Sequence, residues 1–324
     1  MDIASFVYKR YLSSGQTTKR AWSFARKVLI KLFNDPACSL PIHDVQLKMP
    51  LSHLLPAYLR QFPNYDRLPQ RISRYVHQKH GRLNCVDVGA NIGDTLAAFY
   101  TNETDAFLAI EPNPKFQAFL TENWGWNQNV KIVSEICSDY SEEGTFAIHE
   151  KSGTASIRQS QEGATMRRRP LDAILSDHPF SGTVDVLKVD TDGHDFEVIN
   201  GATELISKQH PMVLLECDSF GNTDYVDQCL QTLRLFEESG YRQFLLYDNF
   251  GQLMGKHQLS DLSSFRNLLF YQLTSSFFYF DILLIQDEDF AAFYQSEIDY
   301  FVAKMSDESL RPTASSAASL LHHG

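Results

Sequence analysis

From residue 84 onward, short apolar runs alternate with longer stretches whose apolar positions recur at helical spacing. The runs 84–88 (NCVDV), 106–111 (AFLAIE), 130–135 (VKIVSE), 185–190 (DVLKVD), 212–217 (MVLLEC), 243–247 (QFLLY) and 279–285 (YFDILLI) read as seven strands. The stretches 93–102, 114–125, 170–176, 194–208 and 223–239 read as helices, the last closed by Gly240. Strict alternation of strand and helix predicts an α/β domain built on a mostly parallel sheet. An insert at 143–169 reads as a strand or hairpin followed by a basic loop, Arg167-Arg168-Arg169. That run is either a solvated patch or a clamp for an anionic acceptor.

The pattern before residue 84 is different. Six prolines between residues 36 and 80 predict short helices and turns. Residues 1–34 carry Lys9, Arg10, Lys19, Arg20, Arg26, Lys27 and Lys31 against Asp2 alone. Within this arm Trp22, Ala25, Val28, Leu29, Leu32 and Phe33 form a helical stripe, with Arg20, Arg26, Lys27 and Lys31 off it. Such a stripe either packs on the main domain or lies on an anionic membrane surface; a mitochondrial presequence is a further alternative. The expected division is an N-terminal helical extension over 1–80, the main domain over 81–302, and a disordered Ser/Ala-rich tail over 303–324.

Composition narrows the partners. The net charge is −11 although the arm alone is +6, so the remaining chain is −17, which argues against nucleic acid. Five scattered cysteines without C-x-x-C spacing suit buried thiols in a reducing compartment. No run of eighteen apolar residues and no signal-like start is seen. The expected address is cytoplasmic, with peripheral contact at the inner face of the membrane through residues 1–34 as its extension. Oligomeric state is left open.

The candidate chemistry begins in NCVDVGANIGDTLAAFY, residues 84–100, where a strand hands over to a helix. Gly89 and Gly93 permit conformations and approaches that a Cβ blocks, and Asp87 and Asn91 flank them. The spacing Gly89-x-Asn91-x-Gly93 lacks the third glycine of the dinucleotide fingerprint, and Asp87 has the wrong sign for a pyrophosphate but the right one for a sulfonium and an α-amino group. The second strand ends Glu111-Pro112, where a carboxylate can accept ribose hydroxyls, and the third is followed by Ser138 and Asp139, within reach of an adenine edge. Each of these residues alone reads equally as a turn former or cap.

With these stretches the sequence resembles the FkbM-type methyltransferase family. The likeness rests on VDVGANIGDT (86–95), AIEPNP (109–114), LDAIL (171–175), VLKVDTDGHDFEVINGA (186–202) and PMVLLEC (211–217). It implies a class I, Rossmann-like, S-adenosylmethionine-dependent enzyme with seven strands, helices on both faces and an antiparallel last strand. It also implies O-methylation, with acceptors among glycans, glycolipids and secondary metabolites; a saccharide or glycolipid hydroxyl is the expectation here. The family's usual K-x-D-x-E-G-x-E stands here as Lys188-x-Asp190-x-Asp192-Gly193-His194-Asp195, with the two later acids shortened. Lys188, Asp190, Asp192 and His194 are the catalytic candidates, Asp190 also facing the methyl donor. Lys188 and Asp190 share one strand face, and read otherwise as a buried ion pair; His194 reads otherwise as a surface histidine. Asp190, Asp192, Glu216 and Asp218 could hold a divalent ion, although no metal is assigned. Tyr247-Asp248-Asn249 reads as a turn or a substrate rim, and Phe277, Phe278, Tyr279 and Phe280 as core. Competing readings are a nicotinamide-dependent oxidoreductase and a cofactor-binding module without turnover, which the shortened acids keep open.

Overall fold

A computed structural model describes residues 2–151, 154–160, 162–275 and 279–321. Phe277, Phe278 and the last three residues of the tail lie outside them. The chain opens with α1 (Ile3–Ser13), whose first turn is capped by Asp2 Oδ1 accepting from Ser5 N at 2.7 Å, and α2 (Gln16–Leu32). The proline-bearing segment then forms an antiparallel hairpin, β1 (Ala37–Ile42) and β2 (Val45–Pro50), where only short helices and turns were expected. Pro41 and Pro50 are tolerated there because each strand of a two-stranded sheet has a free edge. Next come α3 (Leu55–Gln61) and α4 (Leu68–His80).

The main domain runs β3 (Asn84–Val88), α5 (Asp94–Phe99), β4 (Ala106–Ile110), α6 (Pro114–Trp124), β5 (Val130–Val133) and β6 (Ile136–Ser138). The insert follows as β7 (Glu142–Lys151), β8 (Thr154–Gln159) and β9 (Ala164–Pro170). The chain then continues through α7 (Leu171–Asp177), β10 (Val186–Val189), α8 (Asp195–Asn200), α9 (Thr203–Gln209), β11 (Met212–Cys217) and α10 (Tyr225–Glu238). It closes with β12 (Gln243–Asp248), β13 (Leu253–Gln258), α11 (Ser263–Ser275), β14 (Phe280–Leu284), α12 (Asp287–Lys304) and α13 (Arg311–Leu320).

The large sheet has the order β13-β12-β14-β11-β10-β3-β4-β5. Strands β5, β4, β3, β10 and β11 are parallel, while β14 runs antiparallel between β11 and β12. This is a Rossmann-like sheet with an eighth strand, β13, added at the edge beyond the seven read from the sequence. Side chains alternate across it: Cys85, Phe107 and Leu214 join one apolar cluster, and Val86, Leu108 and Leu215 the other. Helices therefore cover both faces. A second sheet, β6-β9-β7-β8, carries the insert, so the basic run at 167–169 lies on a strand rather than in a loop.

Three further differences have local causes. The single helix expected over 194–208 is broken at Gly201, whose carbonyl accepts from Asp172 N, while the Asp172 carboxylate caps α9 by accepting from Glu204 N and Leu205 N. The Ser/Ala-rich stretch expected to be disordered forms α13 over 311–320, no residue of which is buried. Finally, Arg26 is the one buried residue of α2, while Phe24, Leu32 and Phe33 are exposed.

Candidate active site

The strand order reverses between β3 and β10, the point at which the carboxyl ends of an open parallel sheet leave a crevice. A cleft of about 1070 Å³, counting its open mouth, lies there. Its floor is the loop after β3, and the reason for Gly89 is steric. With φ +84, a Cβ at this position would sit 1.8 Å from the main-chain oxygen of Asp190. The loop thus presses directly on the end of β10, whose Asp190 N donates to Val88 O at 3.1 Å.

Glu111 closes one side. Its Oε2 accepts from Asn91 N at 2.9 Å and its Oε1 from Asn113 N at 2.8 Å, so the carboxylate is fixed with one lone pair on each oxygen still available. Burial drives its pKa up to about 7 against the pull of those two bonds. Glu135, Ile136 and Cys137 form the wall beyond it, and His53, Leu54, Leu55 and Tyr58 the opposite lip. Burial holds His53 neutral, its pKa down at about 4.

At the centre, Lys188 stands opposite Asp87 in the β10–β3 register. Its Nζ is 3.2 Å from Asp87 Oδ1 and 3.2 Å from Asp190 Oδ2. Burial alone would lower the Lys188 pKa, but Asp190, Asp87 and Asp94 outweigh it and hold it well above the usual lysine value. Lys188 is therefore a fixed cation and cannot accept a proton. The loop that follows is wound around Asp195, which accepts from Thr191 N at 2.8 Å and Gly193 N at 3.2 Å. Asp192, at φ +53, and His194 face the cleft from this loop, and His194 Nδ1 lies 3.6 Å from Glu197 Oε2.

A second cavity, of about 710 Å³, adjoins the first and shares Leu55, Tyr65, Asp94, Thr95, Lys188 and Asp190 with it. Asp66, Glu216, Asn249, Tyr279 and Asp281 line its remainder together with Leu68, Pro69, Val189, Leu214 and Gly251. Carboxylates crowded in a buried space raise one another. Burial first, then Asp66, brings Asp94 up to about 7; burial first, then Asp190, brings Asp281 up to about 8.

Residues 87–243 match the family described as the methyltransferase FkbM domain. The chain carries a methyltransferase FkbM domain. Three solved structures are similar to it. One is a methyltransferase FkbM from Methylobacillus flagellatus KT, at 16% identity over 59% of this chain and 55% of that one, with a TM-score of 0.37. Another is an SAM-dependent O-methyltransferase from Thermotoga maritima, at 13% over 66% and 64%, with a TM-score of 0.33. The third is the METTL16 methyltransferase domain, at 12% over 86% and 88%, with a TM-score of 0.43. The chain thus spans about half the length of the Methylobacillus protein. No curated protein matches it.

Of the residues that the sequence assigned to the cofactor in this FkbM domain, Gly89, Asn91, Glu111, Pro112 and Asp190 line the cleft. Asp87, Gly93, Ser138 and Asp139 are not among its lining residues. Asp87 is wholly buried and its charge faces Lys188, so it presents no carboxylate to a cationic ligand. Gly93 serves packing, because a Cβ there would meet the Trp124 ring at 2.4 Å, and Trp124 Nε1 donates to its carbonyl. Ser138 is turned inward, its hydroxyl donating to Glu197 Oε2, and Asp139 is exposed; the third strand bends into the second sheet two residues earlier than expected, leaving 135–137 on the cleft. Lys188, Asp190, Asp192 and His194 all line the cleft.

Among the described residues no group of three metal-ligating side chains is gathered. The arginine run does not reach an acceptor position: Arg167 and Arg169 engage Glu135, Arg169 also pairs with Asp177 at 2.8 Å, and Arg168 lies over Tyr140. Tyr247 is core, with its hydroxyl donating to Glu297, and Asp248 folds the next turn by accepting from Phe250 N. The residue that sequence reasoning missed is Asp94. At the first position of a helix it reads as an ordinary dipole partner, and the only signal was its place directly after the glycine turn.

Proposed function

We propose that this chain is an S-adenosylmethionine-dependent O-methyltransferase whose acceptor is a saccharide or glycolipid hydroxyl. The observation that carries the reading is the shared wall of the two cavities, where Asp94, Lys188 and Asp190 border both spaces. A donor in the first and an acceptor in the second would meet there. The first cleft fits the cofactor on two counts: the close approach at Gly89 leaves room where any Cβ would intrude, and Glu111 holds two acceptor oxygens ready for ribose hydroxyls. Ile136 and Phe116 offer apolar surface to a purine.

When bound, the cofactor supplies a methyl group on a sulfonium. The chain's own task is to hold the acceptor oxygen in line and take its proton. Asp94 suits the second role, since a carboxyl brought up to about 7 is a stronger base than an ordinary carboxylate and is still ionised in good part at neutral pH. Lys188 keeps Asp190 oriented without titrating. The second cavity favours a polyol: beside its apolar lining, carboxylates, Asn249 and two tyrosines accept and donate hydrogen bonds, and its single cation among the described residues, Lys188, is already shared by Asp87 and Asp190. It would repel an acceptor bearing phosphate or carboxylate at the reacting end.

Titration calorimetry with S-adenosylmethionine, S-adenosylhomocysteine and NAD, followed by methyl release to a panel of neutral, amino and acidic saccharides, tests the reading. Asp94→Asn should lower kcat by about 10²- to 10⁴-fold, the usual contribution of general acid–base catalysis. It should also abolish the rise of kcat with pH through about 7 while leaving S-adenosylhomocysteine affinity nearly unchanged. An NAD-only response would replace the reading by an oxidoreductase, and an unaltered pH profile would remove Asp94 from the base role.

A further inference from the structure

The N-terminal helical pair is fastened to the domain by one face only. Arg26 Nε donates to Leu51 O at 2.8 Å and Arg26 Nη2 to His53 O at 3.2 Å, its guanidinium lying over the Tyr8 ring, while the Tyr8 hydroxyl donates to His53 O as well. His53 is on the lip of the cofactor cleft. The inner side of α2 therefore anchors the cleft wall, which leaves its outer side to be explained.

That outer side has a regular composition. Arg20, Phe24, Lys27 and Lys31 follow one another at intervals of four, three and four, the spacing of one helical face. All four are exposed, Phe24 at 69%, and at the C-terminal end of the helix Leu32 and Phe33 are exposed as well, at 70% and 63%. On α1, Ile3 is 72% exposed and Arg10 sits over the Phe6 ring. Such large side chains cost free energy in water. The flanking lysines and arginine meet no carboxylate among the described residues, so they are charges without internal employment.

We propose that this face of α1 and α2 docks on an anionic lipid bilayer, the aromatic and aliphatic side chains entering the headgroup boundary and the basic ones meeting lipid phosphates. Charge decides the occupant and the orientation: the arm is +6 and the rest of the chain −17, so an anionic surface attracts the arm and repels everything else. Because Arg26 and Tyr8 tie the arm to Leu51 and His53, docking would hold the His53 side of the cleft close to the membrane. Among the described residues no helix is long and apolar enough to cross a membrane, so the contact is one of surface binding. The proposal stands apart from the reading of the cleft.

Co-sedimentation of the full chain with vesicles of phosphatidylcholine alone, or mixed with phosphatidylglycerol, tests it. The chain should pellet with the mixed vesicles, be released by salt, and stay in solution with phosphatidylcholine alone. Lys27→Gln with Lys31→Gln should weaken partitioning on the order of tenfold or more, since two charges that meet the anionic surface are removed. Phe24→Ser with Leu32→Ser should weaken it comparably, and both pairs are exposed, so circular dichroism should be unchanged. Equal pelleting with both vesicle types, no pelleting, or unaltered partitioning of either variant overturns the proposal. A dimer that the Phe24→Ser, Leu32→Ser variant abolishes, with no vesicle binding, would assign the face to a second copy and overturn it also.

Discussion

Replacing Lys188 by Met removes the cation that, among the described residues, pairs with Asp87, while nearly conserving volume. Lys188 Nζ and Asp87 Oδ1 are 3.2 Å apart, with side chains 7% and 0% exposed. At an effective dielectric near 20 the attraction between unit charges at that separation is about 5 kcal/mol, and stripping one member from a buried pair typically costs about 3–5 kcal/mol. Asp87 can escape by taking up a proton, which caps the loss. From an unfolded-state value near 3.9, protonation at pH 7 costs about 4 kcal/mol, and at pH 5 only about 1.5 kcal/mol. Burial already raises the folded pKa of Asp87, and losing Lys188 raises it further. A carboxyl raised in the folded state loses stability as pH climbs from its unfolded value toward its folded one, so the cost must be large at pH 7 and small at pH 5. Urea unfolding of wild type and Lys188→Met at both pH values reads this directly. Adding Asp87→Asn to the variant should restore most of the loss at pH 7. A penalty equal at the two pH values, or none, would refute the assignment of Lys188 as the counter-charge of a buried aspartate.

Two other perturbations address the cleft. Glu111→Gln should weaken S-adenosylhomocysteine binding roughly tenfold to a hundredfold, the worth of charge-assisted hydrogen bonds at about 1.5–3 kcal/mol. In the wild type, affinity should rise with pH through about 7 as this carboxyl ionises, and the variant should show a flat profile by calorimetry. Gly89→Ala forces a Cβ to within 1.8 Å of the Asp190 carbonyl at a φ of +84, which should cost about 3 kcal/mol or more in denaturant unfolding and eliminate cofactor binding; a variant that binds normally would mean the loop is free to move.

What could be read from the sequence was whatever depends on neighbours in the chain. The parallel strands and their helices announced themselves by period, and the two faces of β3 divide as that period requires. The hairpin over 37–50 did not, because its prolines are breakers by local rule and are tolerated only where a strand edge is free. α12 was passed over although Phe290, Phe293, Tyr294, Glu297 and Ile298 stand at helical spacing. The oddity in that pattern is Glu297, and its partner Arg71, which binds both its oxygens at 2.6 and 2.9 Å, is distant in sequence.

The site shows the same boundary more sharply. A carboxylate at a strand end can face a ligand, cancel a lysine, or cap a turn, and residue type does not separate the three. Asp190, Asp87 and Asp195 do one each: Asp190 lines both cavities, Asp87 is matched to Lys188 across a strand pair, and Asp195 winds the loop around itself. Only sheet order brings β3 beside β10, and that adjacency turns Asp87 from the expected ligand contact into an internal counter-charge. Under the proposed function, the negative field beside a sulfonium would then come from Asp190 and Asp94, the two acids that line both cavities. Discrimination against a diphosphate would then rest on the balance of Asp94 and Asp190 against a lysine that Asp87 and Asp190 share, a balance no single position in the chain reveals.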